Sequence, residues 1–589
     1  MDQQILSSAK AWASNSYFDE ESRNEIQTLI DNNDEKELTE RFYKNLEFGT
    51  GGMRSIRGAG LNRINHYTVR KASQALCNEV IRVGKEKNKD VLKIAISYDS
   101  RIWSRELAEE AACVFAGNGV HAYIYERLNP VALLSFSVRH HDADAGVMVT
   151  ASHNPPEYNG FKVYWSDGAQ VTPPNDKNII NNYNSIEDFS TIKFLPLEEA
   201  QKAGLIHWVG TDVEDKYYEA ILSKVVNPQL CKEKGNDLKI VYTPIHGTGL
   251  IPCTRALKDM GMENVLVVEE QAQPDGTFPT VSSPNPENPS ALKMAVDLMN
   301  QENGDIVMGS DPDTDRLGVA LKHNGEVVYI NGNQIGILML HYVISTLKAN
   351  GQLPTNPYFV KTIVTTPLQE KIASHFGVET ENTLTGFKWI CGLMNKIETE
   401  QPERNFIFGT EESFGYLPNE FVRDKDGVHS VTLMAEIALH YKTQGLNLVE
   451  ALDKIYEEFG FSNETLLNLV YQGKEGAEKI GRIMELFRSM NTGTFAGLEV
   501  DYLEDYQAQK AVSFTSDKTW KLDLPQSNVL GFNFENGDKI YLRPSGTEPK
   551  IKFYIMIQEN EGSLEEKKKK AMAKTDEILN FIKEQADKA

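Results

Sequence analysis

The sequence predicts an α/β protein, with three similar α/β domains and a smaller C-terminal α+β domain around a central cleft. Three observations carry this expectation. β-Branched runs following a lysine recur at Lys93-Ile94-Ala95-Ile96-Ser97, Lys239-Ile240-Val241-Tyr242-Thr243 and Lys361-Thr362-Ile363-Val364-Thr365, each reading as the opening strand of a unit. A second apolar run in each unit ends in a polar motif: Val147 to Ser152, Ile306 to Asp311 and Phe406 to Glu411. Open α/β sheets bind ligands beyond the carboxyl ends of their strands, so three such loops are expected to converge on one cleft. After about residue 460 the texture changes to an amphipathic helix from Lys474 to Ser489, strands with turns such as Asn536-Gly537-Asp538, and a charged helix from Ser563 to about Glu584.

Composition sets the outer limits. A chain of 589 residues exceeds what one core accommodates; the expected divisions are 1–45, 46–210, 211–331, 332–460 and 461–589. With 40% hydrophobic and 25% charged residues and a mean hydropathy of -0.41, the chain reads as soluble and globular. A net charge of -23 repels nucleic acid and anionic membranes, and excludes both as principal partners. The five scattered cysteines, 77, 113, 231, 253 and 391, form no Cys-x-x-Cys pair; they read as free thiols in a reducing cytoplasm. The most apolar helical stretch, Gln334 to Ile344, is too short to span a bilayer, and the N-terminus lacks the pattern of a signal peptide.

Taken in order, residues 1 to 45 alternate charged and apolar positions at helical spacing and read as surface helices. Phe48-Gly49-Thr50-Gly51-Gly52-Met53-Arg54-Ser55-Ile56-Arg57-Gly58 reads as a glycine-rich turn, in which Arg54 offers a fork for phosphate oxygens. It is not a P-loop, because no Gly-Lys-Ser/Thr follows. The run Val147-Met148-Val149 delivers Thr150-Ala151-Ser152-His153-Asn154-Pro155 at a strand tip, with Lys162 ten residues beyond the serine. Ser152 is a nucleophile only if a neighbour such as His153 or Lys162 takes its proton; alternatively it already carries the group to be passed on, for which a phosphate is the candidate. Asp311-Pro312-Asp313-Thr314-Asp315-Arg316 places carboxylates at alternate positions, which on an extended segment project to one side and suit a hard divalent cation. An EF-hand is excluded, since its sixth and twelfth positions would be Arg316 and Lys322. A haloacid-dehalogenase-like loop, with Asp311 as nucleophile, stands as a rival. Glu411 and Ser413 in Gly409-Thr410-Glu411-Glu412-Ser413-Phe414-Gly415 suit vicinal sugar hydroxyls, and Thr385, Gly386 and Lys388 form a turn that could face the same cleft. Arg543, Ser545, Gly546, Thr547 and Lys550 gather the donors that a phosphate monoester needs.

These four motifs, Thr150 to Pro155, Asp311 to Arg316, Glu411 to Gly415 and Arg543 to Pro549, stand in the order found in the α-D-phosphohexomutases, and the chain resembles that family along nearly its whole length. Pro312 and Thr314 replace the glycine or alanine of many relatives, and the N-terminal extension resembles the longer phosphoglucomutase and phosphopentomutase branch. The resemblance implies four domains, Mg2+ held by Asp311, Asp313, Asp315 and a phosphorylated Ser152, and catalysis involving Ser152, His153, Lys162 and Arg54. It implies a substrate site of Arg316, Thr385, Gly386, Lys388, Glu411, Ser413, Arg543, Ser545, Gly546, Thr547 and Lys550. The reaction implied is exchange of glucose 1-phosphate and glucose 6-phosphate with glucose 1,6-bisphosphate as activator; pentose or mannose phosphates are the alternative substrates.

Overall fold

A computed structural model describes residues 2–49, 51–471, 473–490, 493–516, 518–545 and 550–589. Gly546 and Thr547 of the expected phosphate turn lie outside the described residues. The chain divides into two compact units, Met1–Asn331 with Cys391–Pro402 and Ser413–Lys442, and Gly332–Ile390 with Glu403–Glu412 and Thr443–Ala589.

The first unit opens with α1 (Gln3–Ser14), α2 (Glu20–Asp31) and α3 (Glu35–Phe42), each started by an aspartate, Asp2, Asp19 or Asp34, whose carboxylate accepts a backbone N–H of the first turn. These helices are more than solvated faces. Trp12 stacks on Phe18 at 3.8 Å, and both pack with Phe42 and with Tyr67 of α4 (His66–Glu86) in a core of their own.

A six-stranded sheet follows, of β1 (Gly52–Ile56), β2 (Lys93–Tyr98), β3 (His121–Tyr125), β4 (Ala145–Val149), β5 (Tyr158–Trp165) and β6 (Ile206–Val209), in the order β1-β5-β4-β2-β3-β6. Arg54 therefore sits in a strand, opposite Gly160, where the sequence suggested a turn. The glycines serve strand packing: a Cβ on Gly52 would lie 2.0 Å from Phe161 O, and one on Gly160 2.5 Å from Thr150 O. Helices α5 (Ser104–Gly117) and α6 (Val131–His140) make the helical crossovers that parallel strands require. The second sheet comprises β7 (Ile240–Thr243), β8 (Val265–Val267), β9 (Ile306–Ser310), β10 (Leu317–His323) and β11 (Glu326–Ile330), in the order β11-β10-β9-β7-β8.

In the second unit, β12 (Pro357–Thr362), β13 (Glu379–Thr383) and β14 (Asn405–Glu411) pair in parallel as β13-β12-β14. Strand β15 (Gly415–Leu417) belongs to the first unit. The faint sequence repeat is thus a repeat of topology. In each of three sheets the third parallel strand lies beside the first, as β4-β2-β3, β9-β7-β8 and β14-β12-β13, and a polar motif leaves or ends that third strand. The third opening strand needs a correction: β12 spans Pro357–Thr362, so Lys361 lies inside the strand rather than ahead of it. Its ammonium is tolerated there because it pairs with Glu370 at 2.9 Å and donates to Thr365 O at 3.0 Å.

The C-terminal region is an eight-stranded sheet of β16 (Phe461–Val470), β17 (Thr494–Phe495), β18 (Leu498–Asp505), β19 (Lys510–Ser513), β20 (Thr519–Lys521), β21 (Leu530–Phe534), β22 (Lys539–Pro544) and β23 (Lys550–Glu559). The helix Leu564–Lys588 packs on β16 and β23 and buries Ala571, Ile578 and Ile582 at helical spacing. The expected amphipathic helix runs Gly473–Arg488 and buries Ile483, Met484 and Phe487. Among the described residues no helix is long and apolar enough to cross a membrane, and all five cysteines are free and buried.

Candidate active site

Strand β4 is buried along its length and releases the chain at Thr150 into a loop held from below. Ser152 adopts φ 54 and is 3% exposed, a left-handed conformation that a non-glycine residue keeps only under constraint. Its N–H donates to Thr150 Oγ1 at 2.8 Å, and that hydroxyl donates to Asp99 Oδ2 at 2.6 Å. Ser283 Oγ donates to His153 O at 3.1 Å. The Ser152 Oγ lies 3.1 Å from Asp311 Oδ2 and 3.1 Å from His153 Nδ1. Burial pushes the His153 imidazole well below the usual histidine range, and the charges of Arg316, Arg54, Lys162 and Arg101 add to the effect. A neutral imidazole therefore faces the serine hydroxyl.

The three aspartates converge, but on a turn rather than on the extended segment expected. Thr314 takes φ 51, folding the loop so that carboxylate oxygens of Asp311, Asp313 and Asp315 lie within 4.8 Å of one another. The turn is braced from the loop after β7. Thr248 N–H donates to Pro312 O at 2.9 Å, Thr248 Oγ1 donates to Pro312 O at 3.0 Å, and the Thr248 and Thr314 hydroxyls lie 2.8 Å apart. Gly247 permits this approach, since a Cβ there would lie 2.5 Å from Pro312 Cα.

Asp311 Oδ1 accepts the N–H groups of Asp315 and Arg316 at 2.9 and 3.0 Å. Lys162, in β5, reaches Asp313 Oδ2 at 2.6 Å and Asp315 Oδ2 at 3.6 Å, while Lys425 reaches Asp315 Oδ2 at 3.1 Å. Burial, then repulsion from Asp315 and Asp313, drives the Asp311 carboxyl well above its usual range; burial and Asp313 likewise raise Asp315. At Asp313 burial also opposes the charged form, but the Lys162 ammonium outweighs it and holds the carboxyl at about 2. The converse holds for Lys162, whose burial is outweighed by Asp313 and Asp315, so that its pKa is raised. Asp313 Oδ1 and Asp315 Oδ1 are buried and accept no hydrogen bond. Orphaned carboxylate oxygens beside a shared focus are the donors that a hard divalent cation takes up, so the residues fit such an ion.

Arg54 projects from β1, where its Nη1 donates to Asn154 Oδ1 at 2.9 Å. Arg316 Nη1 is paired with Glu287. Sequence reasoning brought Ser152, His153, Lys162, Arg54, Arg316 and the three aspartates to attention, and the first unit holds them together. It missed Arg101, Asp99, Thr248 and Lys425. The signal for the last was Arg423-Asp424-Lys425-Asp426, a charged run directly before the buried helix Gly427–Thr443, where burial demands partners; Asp424 Oδ2 accepts Tyr164 OH at 2.6 Å.

The remaining predicted residues are distributed as follows. Ser413 belongs to the first unit. In the second, Glu411 ends β14 and is 6% exposed, and its neighbour Glu412 accepts Thr362 Oγ1 at 3.1 Å. Gly386 takes φ 115, which only glycine adopts readily, and turns the chain from Thr385 into the helix Phe387–Glu400. There Lys388 Nζ lies 5.0 Å from the ring centre of Trp389. Arg543 lies in β22 opposite Lys552, and Ser545 N–H donates to Lys550 O at 2.8 Å.

Comparison with known proteins gives a consistent result. Residues 45–189, 215–325 and 331–459 match the phosphoglucomutase/phosphomannomutase α/β/α domains I, II and III in turn. The phosphoglucomutase of Staphylococcus saprophyticus is 34% identical over 534 residues, covering 90% of this chain and 94% of its own. That of Staphylococcus epidermidis is 35% identical over 545 residues, covering 92% and 96%. Among solved structures, pp63/parafusin of Paramecium, a phosphoglucomutase in its open form, aligns with a TM-score of 0.66 and 17% identity over 92% of this chain and 95% of its own. A phosphoglucomutase/phosphomannomutase family protein of Burkholderia thailandensis aligns with a TM-score of 0.63 and 17% identity over 91% and 96%. These two likenesses bear on the fold.

Proposed function

The chain belongs to the phosphoglucomutase/phosphomannomutase family, and from that premise we propose that it exchanges glucose 1-phosphate and glucose 6-phosphate through a phosphorylated Ser152. It is an enzyme, a phosphosugar mutase of the isomerase class. The observation that carries the reading is the Ser152 hydroxyl, buried at a strand tip, 3.1 Å from Asp311 Oδ2 and from a neutral His153. Phosphoserine gives its phosphoryl group to the free hydroxyl of the sugar monophosphate, the glucose 1,6-bisphosphate so formed turns over, and its other phosphate returns to Ser152. In the first transfer the Oγ–P bond breaks as the sugar oxygen takes the phosphoryl group and gives up its proton; in the return step Oγ attacks phosphorus, the sugar O–P bond breaks, the Oγ proton passes to the base beside it and the sugar oxygen leaves as a hydroxyl by taking a proton back. His153 Nδ1 is placed for this and is uncharged, whereas Lys162 is held as ammonium and adds positive potential to the phosphoryl oxygens.

Asp311, Asp313 and Asp315, together with the seryl phosphate, would hold Mg2+, which when bound supplies Lewis-acid neutralisation of the transferring phosphoryl group. Arg54 and Arg316 add charge on the same side. Glu411 and Ser413, Lys388 with Thr385 and Gly386, and the set of Arg543, Ser545, Gly546, Thr547 and Lys550 are our candidates for reading the sugar and its distal phosphate. The partners are small sugar phosphates, and the buried free thiols suit the cytoplasm.

The test is a coupled assay with glucose 1-phosphate and a trace of glucose 1,6-bisphosphate, repeated with mannose, glucosamine and pentose phosphates. Glucose is expected to give the highest kcat/KM, acid-stable phosphate should map to Ser152, and Ser152→Ala should abolish turnover. A hydroxylamine-labile acyl phosphate on Asp311 would instead establish an aspartate-nucleophile phosphatase.

A further inference from the structure

The guanidinium of Arg101 is buried directly beneath the serine loop, with the whole residue 3% exposed. Its Nη1 donates to Pro155 O at 2.9 Å and to Tyr158 O at 3.0 Å, and its Nη2 donates to Ser152 O at 2.6 Å and to Asn154 O. The Nε lies 3.4 Å from Asp99 Oδ2, the carboxylate that also accepts the Thr150 hydroxyl and, through Oδ1, Ser104 Oγ. One face of the guanidinium lies 5.0 Å from the ring centre of Phe278. Every terminal N–H of one planar fork is thus spent on carbonyls of a single short loop. A surface-type ion pair would use two of them.

We propose that Arg101 is a positioning residue for phosphoryl transfer, a clamp that fixes the carbonyls of Ser152, Asn154, Pro155 and Tyr158 and thereby holds the Ser152 Oγ at its transfer position. The proposal rests on the reading of Ser152 as the phosphoryl carrier. Three physical points support it. A loop carrying a left-handed serine and ending in Asn-Pro has few backbone bonds of its own: Asn154 N–H donates to Ala151 O at 3.2 Å and Tyr158 N–H to Pro155 O at 3.1 Å. Its outward carbonyls therefore need donors from elsewhere. Lysine cannot replace the clamp, because its three N–H groups radiate from one atom and do not span four carbonyls, whereas the arginine fork does. Asp99 joins both halves, holding Arg101 on one side and the Thr150-to-Ser152 N–H relay on the other, so the strained serine is fixed from its amide and from its carbonyl.

A misplacement of about 1 Å at a reacting atom costs on the order of 100-fold in rate. Arg101→Gly is therefore expected to lose about 100-fold in kcat while KM for glucose 1-phosphate stays within about threefold, because the residue acts on transfer and touches no substrate. The glycine variant leaves a guanidinium-shaped gap, so added guanidinium at millimolar concentration should restore kcat at least about tenfold, when equal concentrations of sodium chloride or urea do not. Arg101→Lys, which keeps the charge, is expected to fold and to remain at least about tenfold impaired in kcat. If Arg101→Gly does not fold, the lysine variant decides alone. Wild-type kcat in either variant, or a loss that appears in KM and is indifferent to guanidinium, overturns the proposal. Ser152→Ala is measured in parallel: activity in that variant removes the underlying reading, whereas an inactive Ser152→Ala beside a fully active Arg101 variant removes the clamp alone.

Discussion

Replacing Lys162 by methionine separates the role of that lysine from that of the aspartates it touches. Its Nζ lies 2.6 Å from Asp313 Oδ2, with the carboxylate side chain fully buried and the lysine side chain 12% exposed. At that distance the gross attraction is about 6 kcal/mol for an effective dielectric near 20. Most of it is offset by desolvation, and removing one partner of such a pair typically costs about 3–5 kcal/mol because the other charge stays buried. Part of this is relieved by proton uptake, since Asp313, held at about 2 by Lys162 against burial, must then titrate higher. The same change has the opposite sign for a divalent cation. Asp313 Oδ2 is released as a ligand and a positive charge leaves the cluster, so Mn2+ should bind at least about tenfold tighter, roughly 1.4 kcal/mol. Apo Lys162→Met should therefore unfold at lower urea than the wild type and gain more from added Mn2+, while kcat falls. Urea melts of the first unit's transition with and without Mn2+, with free ion counted by EPR, measure both effects. An apo stability equal to wild type, or weaker Mn2+ binding, would refute the reasoning.

Two further changes probe different parts of the same unit. Thr248→Val removes the hydroxyl that bridges Pro312 O and Thr314 while keeping side-chain volume; a group that orients metal ligands in this way typically contributes about 10–100-fold in affinity, so Mn2+ binding should weaken by that amount, and unchanged binding would mean the turn holds itself. His429 provides a pH test away from the aspartates. Asn419 Oδ1 accepts Val422 N–H at 3.0 Å, which turns Asn419 Nδ2 toward His429 Nδ1 at 3.0 Å and requires the neutral imidazole. Burial, with a contribution from Lys224, lowers its pKa to about 3. Because the folded value lies below the unfolded one near 6.5, its contribution to stability is present above about pH 6.5 and is lost as pH falls toward 3. Between pH 7 and 5 the loss is about 2 kcal/mol. His429→Gln, which still offers an acceptor to Asn419, should flatten the acid limb of the stability profile, and a slope equal to wild type would exclude this histidine as its source.

What the sequence made legible was the position of each chemical motif relative to a strand end, because a buried parallel strand is a continuous apolar run and the polar residue that ends it is conspicuous. That sufficed for Ser152 after β4, Asp311 after β9 and Glu411 in β14. Local geometry was less accessible. Arg54 looked like part of a glycine turn because Gly51 and Gly52 dominate the segment, whereas Gly52 is explained by Phe161 O, an atom more than a hundred residues away in sequence. Lys361 looked like the start of a strand because its partner Glu370 comes later, in the helix Leu368–Phe376. The alternating aspartates suggested one face of an extended chain; the observed convergence depends on Thr314 in the left-handed region, and Thr248 supplies a contact no local pattern contains. Arg101 was invisible for the same reason, since its four acceptors are main-chain carbonyls and leave no side-chain signature.

The charge pattern explains how a chain with net charge -23 handles anionic substrates, and why the aspartates matter to more than a cation. In the first unit four of the bases near the serine are already engaged: Lys162 by Asp313, Lys425 by Asp315 and Asp424, Arg316 by Glu287, Arg101 by carbonyls and Asp99. These pairings cancel much of the positive potential of the four bases, and a dianionic phosphoryl group on Ser152 would be repelled by Asp311 at its side. A divalent cation held by the three carboxylates would change the balance twice, by its own charge and by competing with Lys162 and Lys425 for the oxygens they hold, which would free ammonium groups to face phosphate. Positive potential would then be present when the cation is, and largely absent when it is not. On this argument the lysines serve as stand-ins that keep the acidic cluster folded without metal, which is why Lys162→Met is expected to move apo stability and cation affinity in opposite directions.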